Sequence, residues 1–281
     1  MNKLLAKPVI EKRRAELLDK TIALKSKIGR APHLAVILIG DDPASEVYVG
    51  KKGQAAEAVG FSHETILFPK DVDPSVVYKR IGELNESKNV DGILVQRPVP
   101  HQFKEEDMAM AVTPKKDVDC LHPENVGLLV NGNPRFYPCT PRGILLLLEF
   151  YGIPVEKKLA CVIGRSSIVG KPLAALLLAK NATILQIHRS TPNPSELCKQ
   201  ADLVFVAAGS PKLVKKDWIK PGAVVIDVGV HRDQNNKLFG DVDASEMEGV
   251  ASALTPVPGG VGPMTIQVLL ENTFASAEQR R

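Results

Sequence analysis

Along the first hundred residues the spacing of apolar positions switches repeatedly between helical and extended patterns. Val9, Ile10, Leu17, Leu18, Ile22, Leu24 and Ile28 recur at helical intervals and predict a helix over 9–27. His33 to Ile39 is a nearly continuous apolar run, short enough to be a strand buried on both faces. Asp42-Pro43 reads as a helix start, with a capping carboxylate followed by proline at the first helical position; that helix runs to about Val59 and stops at Gly60. Ser62 to Phe68 reads as a strand, Pro74 to Ser87 as a helix and Gly92 to Val95 as a strand. Gln96-Arg-Pro-Val-Pro100 then breaks all periodicity, and irregular polar sequence with short helical pieces continues to Pro138.

A second alternation begins near Thr140. Pro141 to Tyr151 predicts a leucine-rich helix, Leu159 to Ile163 a buried strand, Leu173 to Lys180 a helix opened by Pro172, and Ala182 to Ile187 a strand. Further strands are expected at Leu203 to Ala207, Ala223 to Val228 and Val250 to Leu254, with helices at Ser195 to Gln200 and Lys215 to Ile219. A final helix is expected over Pro263 to Gln279. The alternation predicts an α/β protein whose parallel sheets are covered on both faces.

Composition narrows the function classes. At 281 residues the chain has room for two domains or one large one, and 44% apolar with 24% charged residues is ordinary for a globular protein. The formal charge of +4 is spread over lysine pairs such as Lys51-Lys52 and Lys115-Lys116, with acidic residues between them. No basic stripe or aromatic-basic alternation points to nucleic acid. A mild positive excess suits a small anionic substrate, although solvated surface accounts for most of these charges. Cys120, Cys139, Cys161 and Cys198 show no Cys-x-x-Cys spacing, which argues for a reducing compartment and against a metal site. The N-terminal apolar run is too short for a signal peptide and no run is long enough to span a bilayer, so a cytoplasmic protein without a membrane partner is expected.

Two regions carry candidate chemistry. Lys158 to Pro172 joins a strand to a helix through the turn Gly164-x-Ser166-x-x-x-Gly170. Such a turn can set backbone N–H groups and a positive helix end against a pyrophosphate, or the two glycines can serve only the tight crossover. At the end of the next strand, where a NAD site would carry an acid for the ribose 2′-hydroxyl, stand His188, Arg189 and Ser190, with Arg165 in the turn; this set suits a 2′-phosphate and favours NADP. In the other region, Tyr48 and Lys52 are four apart on one helix face, with Ser45 a turn before. Tyrosine offers a flat ring, and a buried lysine offers a proton donor usable near neutral pH. Gln96 follows a predicted strand, where ligands collect in open α/β sheets, and can orient a neighbour without adding charge or can simply cap a loop. Asp117 and Asp119 are both able to bind a pair of donors, and chemistry alone leaves the choice between them open. Gly259-Gly-Val-Gly-Pro263 precedes the last helix, as a hinge or as backbone lying close to a flat ligand.

Taken in order, several blocks resemble one family. They are Gly40-Asp-Asp-Pro-Ala-Ser-Glu-Val-Tyr-Val-Gly-Lys-Lys52, Gly92-Ile-Leu-Val-Gln-Arg-Pro-Val-Pro100, Pro114-Lys-Lys-Asp-Val-Asp119, Pro138-Cys-Thr-Pro141, Gly164-Arg-Ser166 and Thr255-Pro-Val-Pro-Gly-Gly-Val-Gly-Pro-Met-Thr265. Over nearly the whole chain the set resembles the bifunctional methylenetetrahydrofolate dehydrogenase/methenyltetrahydrofolate cyclohydrolases of one-carbon metabolism. The resemblance implies two reactions: NADP-dependent oxidation of 5,10-methylenetetrahydrofolate to the methenyl cation, then hydrolysis to 10-formyltetrahydrofolate, a donor for purine biosynthesis. It implies an N-terminal folate-binding and catalytic domain over 1–139, joined by the C-terminal helix 263–281, and a Rossmann-type dinucleotide-binding domain over 140–262, facing each other across a cleft. It implies a homodimer acting on tetrahydrofolate derivatives, polyglutamylated ones included. Lys52 matches the family's acid/base lysine, Gln96 the residue that orients it, Tyr48 the ring against the folate and Asp119 the anchor of the pterin; all four are assigned as catalytic. Gly259, Gly260, Pro263 and Thr265 are assigned to substrate. Gly164, Arg165, Ser166, Ile168, Val169, Gly170, His188, Arg189, Ser190 and Thr140 are assigned to NADP. This chain departs from the family's usual leucine at Arg97 and usual glycine at Cys120. Arg97 either adds charge near the folate or points outward, and Cys120 adds bulk beside Asp119.

Two other readings are compatible with the residues alone. A different NADP-dependent dehydrogenase, acting on a small hydroxy or amino acid, would not need Tyr48, Lys52 and Gln96 together. A nucleotide-sensing module would have no use for a proton-transferring lysine.

Overall fold

A computed structural model of the chain describes residues 1–279; Arg280 and Arg281, the end of the helix expected over 263–281, lie outside the described residues. The fold divides into two compact units. One comprises Glu11–Tyr137 with the tail from Ile266, and the other Met1–Ile10 with Pro138–Thr265.

The chain opens with a two-residue strand, β1 (Asn2–Lys3), and a long helix, α1 (Ala6–Ile28). The first unit then runs β2 (His33–Ile39), α2 (Pro43–Ala58), β3 (Ser62–Phe68), α3 (Pro74–Glu86) and β4 (Gly92–Val95). The strands form a parallel sheet in the order β3-β2-β4. Central β2 is buried from Leu34 to Ile39, as its unbroken apolar run requires, whereas edge strand β3 alternates between exposed and half-buried positions. Both crossover helices start as their sequences predict. Asp42 accepts a hydrogen bond from Ser45 N at 2.8 Å, Asp73 accepts one from Ser75 N at 2.8 Å, and proline follows each cap. Val77, Ile81 and Leu84 of α3 pack on Ala35, Ile37, Ile39 and Ile93 of the sheet.

The stretch after β4 contains the short helices α4 (Glu105–Ala111) and α5 (Pro123–Val130). Between them Ile93 N donates to Lys116 O at 2.9 Å, and a parallel bridge pairs Ile93 with Asp117, so this segment runs beside β4. Lys116 is wholly buried, and its Nζ donates to Leu84 O at 2.5 Å and Ser87 O at 2.7 Å. A cation at the carbonyl end of α3 satisfies acceptors that the helix itself leaves open. Asp91, also fully buried, receives both arms of Arg30 at 2.6 and 2.8 Å and the His33 amide at 2.9 Å.

The second unit contains α6 (Cys139–Phe150), β5 (Leu159–Ile163), α7 (Gly170–Ala179), β6 (Thr183–Ile187), α8 (Pro194–Cys198), β7 (Leu203–Val206), β8 (Val224–Asp227), β9 (His231–Arg232), β10 (Leu238–Phe239) and β11 (Ala253–Leu254). The last helix, α9 (Val261–Gln279), carries Pro263 at its third position. Strands β1-β11-β8-β7-β5-β6 form one six-stranded parallel sheet. The expected helix at Lys215 to Ile219 is a single 3₁₀ turn, Lys216–Trp218, and the expected strand Val250 to Leu254 pairs only over Ala253–Leu254. The antiparallel pair β9–β10 and the edge strand β1 have two residues per strand, too short to leave a periodic signal. No helix among the described residues is long and apolar enough to cross a membrane.

Gly92, at the start of β4, allows a close packing that leads directly to the candidate site. A Cβ there would meet both methyls of Val118 at 2.9 Å and Thr273 Oγ1 of α9 at 3.0 Å. Gly92→Ala is expected to destabilise the protein by about 1–3 kcal/mol through overpacking, read as a lower urea midpoint at unchanged slope.

Candidate active site

In the first unit the site is assembled at the carboxyl ends of β2 and β4. Gln96 N donates to Ile37 O at 2.8 Å, which continues the strand pairing one residue past β4 and fixes where the Gln96 side chain starts. Its amide nitrogen donates to Arg97 O at 2.6 Å, and this turns the amide oxygen toward α2. Lys52 Nζ donates to that oxygen at 2.6 Å. Lys52 is 6% exposed, and its Nζ lies 5.0 Å from the centre of the Tyr48 ring, one helical turn away on the same face. Tyr48, Lys52 and Gln96 are thus brought together, although Gln96 lies 44 residues further along the chain than Lys52. Ser45 is buried in the first turn of α2.

Asp119 lines a small cavity beside β4 together with Ile93, Val95, Arg97, Met108 and Asp117. The two aspartates behave differently. Asp117 is buried and accepts from Leu121 N at 3.1 Å, His122 N at 2.8 Å and Asn125 Nδ2 at 2.8 Å. Burial pushes its carboxyl above the usual range, opposed by those hydrogen bonds. Asp119 is half-buried and makes no side-chain hydrogen bond among the described residues, so its two oxygens remain open to an incoming donor pair.

Both departures from the family pattern have a structural reading. Cys120 has a φ of 60°, the left-handed region that favours glycine, and its buried thiol donates to Phe136 O at 3.3 Å. Burial raises its pKa. Its bulk is therefore directed into the fold and is not part of the cavity wall. Arg97 does line the cavity, where its guanidinium pairs with Glu105 at 2.7 Å and is largely neutralised there.

In the second unit the turn after β5 has φ 121° at Gly164, and a Cβ there would run into the carbonyl oxygen of Ala207. A Cβ at Gly170 would run into the Gly164 carbonyl. Ser166 Oγ accepts from Val169 N at 3.2 Å and Gly170 N at 3.3 Å, and Lys171 N donates to Ser166 O at 3.0 Å. The first amides of α7 are thus spent on holding the turn, and the exposed stretch Arg165 to Ile168 is left outermost, with Val169 half-buried and Gly170 buried behind it. Arg165 Nη1 lies 3.4 Å from His188 Nε2, which joins the turn to the end of β6; Arg189 and Ser190 stand exposed beside it. A backbone cradle that tolerates no Cβ, rimmed by two arginines and a histidine, fits a phosphorylated dinucleotide. Thr140 and Thr265 share a hydrogen bond of 2.9 Å between their hydroxyls. Gly259 has φ 103° and Gly260 packs against Pro256 O, while Pro263 is exposed in the first turn of α9.

Sequence reasoning passed over His231, Asp227 and Asp241. The available signal was an acid closing the apolar strand Val224–Asp227, followed by a second acid after Gly240.

Comparison with known proteins agrees with this geometry. The catalytic-domain model of the tetrahydrofolate dehydrogenase/cyclohydrolase family matches residues 4–119, and the NAD(P)-binding-domain model of the same family matches residues 138–281. The bifunctional protein FolD of Streptococcus equi subsp. zooepidemicus is 47% identical over 274 residues, covering 98% of this chain and 96% of its own. The crystal structure of the bifunctional FolD methylenetetrahydrofolate dehydrogenase/cyclohydrolase from Campylobacter jejuni superposes with a TM-score of 0.97 at 43% identity, over 100% of both chains. The Trypanosoma brucei enzyme, complexed with NADP cofactor and inhibitor, superposes with a TM-score of 0.93 at 35% identity, over 98% of this chain and 96% of its own. The chain therefore belongs to the tetrahydrofolate dehydrogenase/cyclohydrolase family and is a bifunctional methylenetetrahydrofolate dehydrogenase and methenyltetrahydrofolate cyclohydrolase.

Proposed function

We propose that Lys52, oriented by Gln96, carries the proton chemistry of the hydrolytic step, that the Tyr48 ring supports the folate in both reactions, that Asp119 anchors the pterin, and that the turn after β5 holds NADP. The observation that carries this reading is the 2.6 Å hydrogen bond from buried Lys52 Nζ to a Gln96 amide whose orientation is itself fixed. An amine held this way can move a proton at a defined point.

Bound NADP supplies the hydride acceptor for oxidation of the methylene bridge. In that step the protein's task is alignment: the Tyr48 ring supports the folate and the Asp119 carboxylate fixes the pterin through paired donors. In the second step water adds to the methenyl carbon. Lys52, as the neutral amine, takes a proton from that water, and as the ammonium returns one to the ring nitrogen when the carbon–nitrogen bond breaks. One proton is released overall, and Gln96 keeps Nζ directed at the reacting carbon throughout.

We assign residues 1–139 with 263–281 to folate binding and catalysis, and 140–262 to the dinucleotide. Gly259, Gly260, Pro263 and Thr265 are assigned to substrate, and Gly164, Arg165, Ser166, Ile168, Val169, Gly170, His188, Arg189, Ser190 and Thr140 to NADP. Preference for NADP is supported by the Arg165–His188 approach and by Arg189 and Ser190 beside it, a cationic set where a NAD site would carry an acid. The same reading includes a cytoplasmic homodimer and polyglutamylated substrates, whose negative charge the mild positive excess of the chain suits.

Lys52→Ala is expected to slow hydrolysis of methenyltetrahydrofolate by ~10²–10⁴-fold while hydride transfer falls far less. The decay of the methenyl absorbance measures it, and a wild-type hydrolysis rate would remove Lys52 from this role. Replacing Arg165 or Arg189 by Ala should raise the Michaelis constant for NADP about ten- to a hundredfold and leave that for NAD almost unchanged. A wild-type enzyme that used NAD at least as well as NADP would contradict the assignment. Asp117 and Asp119 are separated by a paired measurement. Asp117→Ala leaves buried amides unpaired and should cost about 1–3 kcal/mol of stability, whereas Asp119→Ala should cost less than about 0.5 kcal/mol. Asp119→Ala should instead weaken folate about tenfold or more in both reactions. Loss of only the hydrolytic rate would mean that Asp119 is not the pterin anchor.

A further inference from the structure

The order of the six-stranded sheet reverses at β5, which has β6 on one side and β7 on the other. In parallel sheets a crevice opens at such a reversal, between the carboxyl ends of the two diverging strands. One lip of this crevice is the Gly164 turn after β5. The other is Ala207-Ala208-Gly209 after β7. The lips touch through backbone: Ala207 N donates to Ile163 O at 2.8 Å, and only the missing side chain of Gly164 leaves room for the Ala207 carbonyl.

The second lip is held from behind by a carboxylate that has no role in the chemistry described above. Asp241 is fully buried, and its Oδ2 accepts from both Ala208 N and Gly209 N at 2.8 Å. Its Oδ1 accepts from His231 Nε2 at 2.7 Å, and the His231 ring packs on Phe239 of β10 at 5.4 Å. Asp241 is itself positioned by Asp227 at the end of β8. Asp227 Oδ1 accepts from Asp241 N at 2.9 Å and Gly229 N at 3.0 Å, and Oδ2 accepts from Val242 N at 3.0 Å. A Cβ on Gly229 would strike the Asp241 carboxyl, and one on Gly240 would strike that of Asp227, so the backbone is built around the two acids.

Two consecutive amides of the lip are therefore turned into the protein, and the conformation of the lip depends on one buried acceptor. We propose that Asp241 and His231 are positioning residues for the dinucleotide. Asp241 clamps the Ala207–Gly209 lip in the shape that receives NADP, and the small hairpin β9–β10 exists to deliver the His231 donor that keeps Asp241 aimed at the two amides. Because Asp241 is fully buried, it acts through the lip and not by touching the cofactor. This inference rests on the assignment of the Gly164 turn to NADP.

The test is the equilibrium dissociation constant for NADP, followed calorimetrically in the full-length protein alongside its thermal midpoint. Loss of a hydrogen bond to a carboxylate predicts that His231→Ala weakens NADP about tenfold or more. His231→Gln, which restores an N–H donor of similar reach, is expected to return the constant to within about threefold of wild type. Asp241→Ala removes a fully buried acceptor and can fail to fold, so the decision lies with the two His231 variants. Equal weakening by His231→Ala and His231→Gln, or no weakening by His231→Ala, would overturn the inference. Arg165→Ala serves as the control on the underlying reading. If it leaves NADP affinity intact, the cofactor assignment fails and this proposal with it; if it weakens NADP while His231→Ala does not, only the positioning role is lost.

Discussion

Burying an amine inside an α/β unit costs more than most single contacts return, and the first unit is arranged around doing it at Lys52. The i,i+4 spacing of Tyr48 and Lys52 puts both on one face of α2, and β4 ends at Val95 so that Gln96 emerges within reach of Lys52. Gln96 then offers Lys52 an oxygen and no alternative, because its nitrogen is committed to the Arg97 carbonyl. Neither element could slide by one residue without turning the amide or the amine away.

The second unit solves a related problem with the charges reversed. Its buried carboxylates are tolerated because backbone amides converge on them, three on Asp227 and two on Asp241. Burial and the neighbouring Asp241 still push the Asp227 carboxyl up to about 6. With its folded pKa above the unfolded value, Asp227 contributes stability that is complete in acid and is lost as pH rises through about 6.

Much of this architecture was legible in the chain. Runs such as His33 to Ile39 and Leu159 to Ile163 announce buried parallel strands because both of their faces are covered, and the Asp42-Pro43 start announces α2 because caps act locally. The helical spacing of Tyr48 and Lys52 was equally local. What could not be read depends on partners far along the chain. Nothing near Asp117 says that its oxygens are taken by Leu121, His122 and Asn125, so the sequence alone leaves the choice between it and Asp119 open. Asp241 means little without Ala208 and Gly209, more than thirty residues earlier. The strands β1, β9 and β10 are made by pairing and not by propensity, since two residues carry no period.

The pairing of Asn2 with Ala253 also bears on how the molecule is made. A chain emerging from the ribosome presents its β1 residues long before the sheet neighbour they pair with at Ala253 and Leu254. In the other unit, Gly92 and Val118 wait in the same way for Thr273 to close over them. Vectorial folding can build the inner strands of either unit early, but the outer edge of one and the cover of the other wait for residues from Ala253 onward. A nascent chain stalled short of Ala253 would carry both units unfinished, one with the unpaired backbone edge of β8 and the other with packed surface awaiting its last helix.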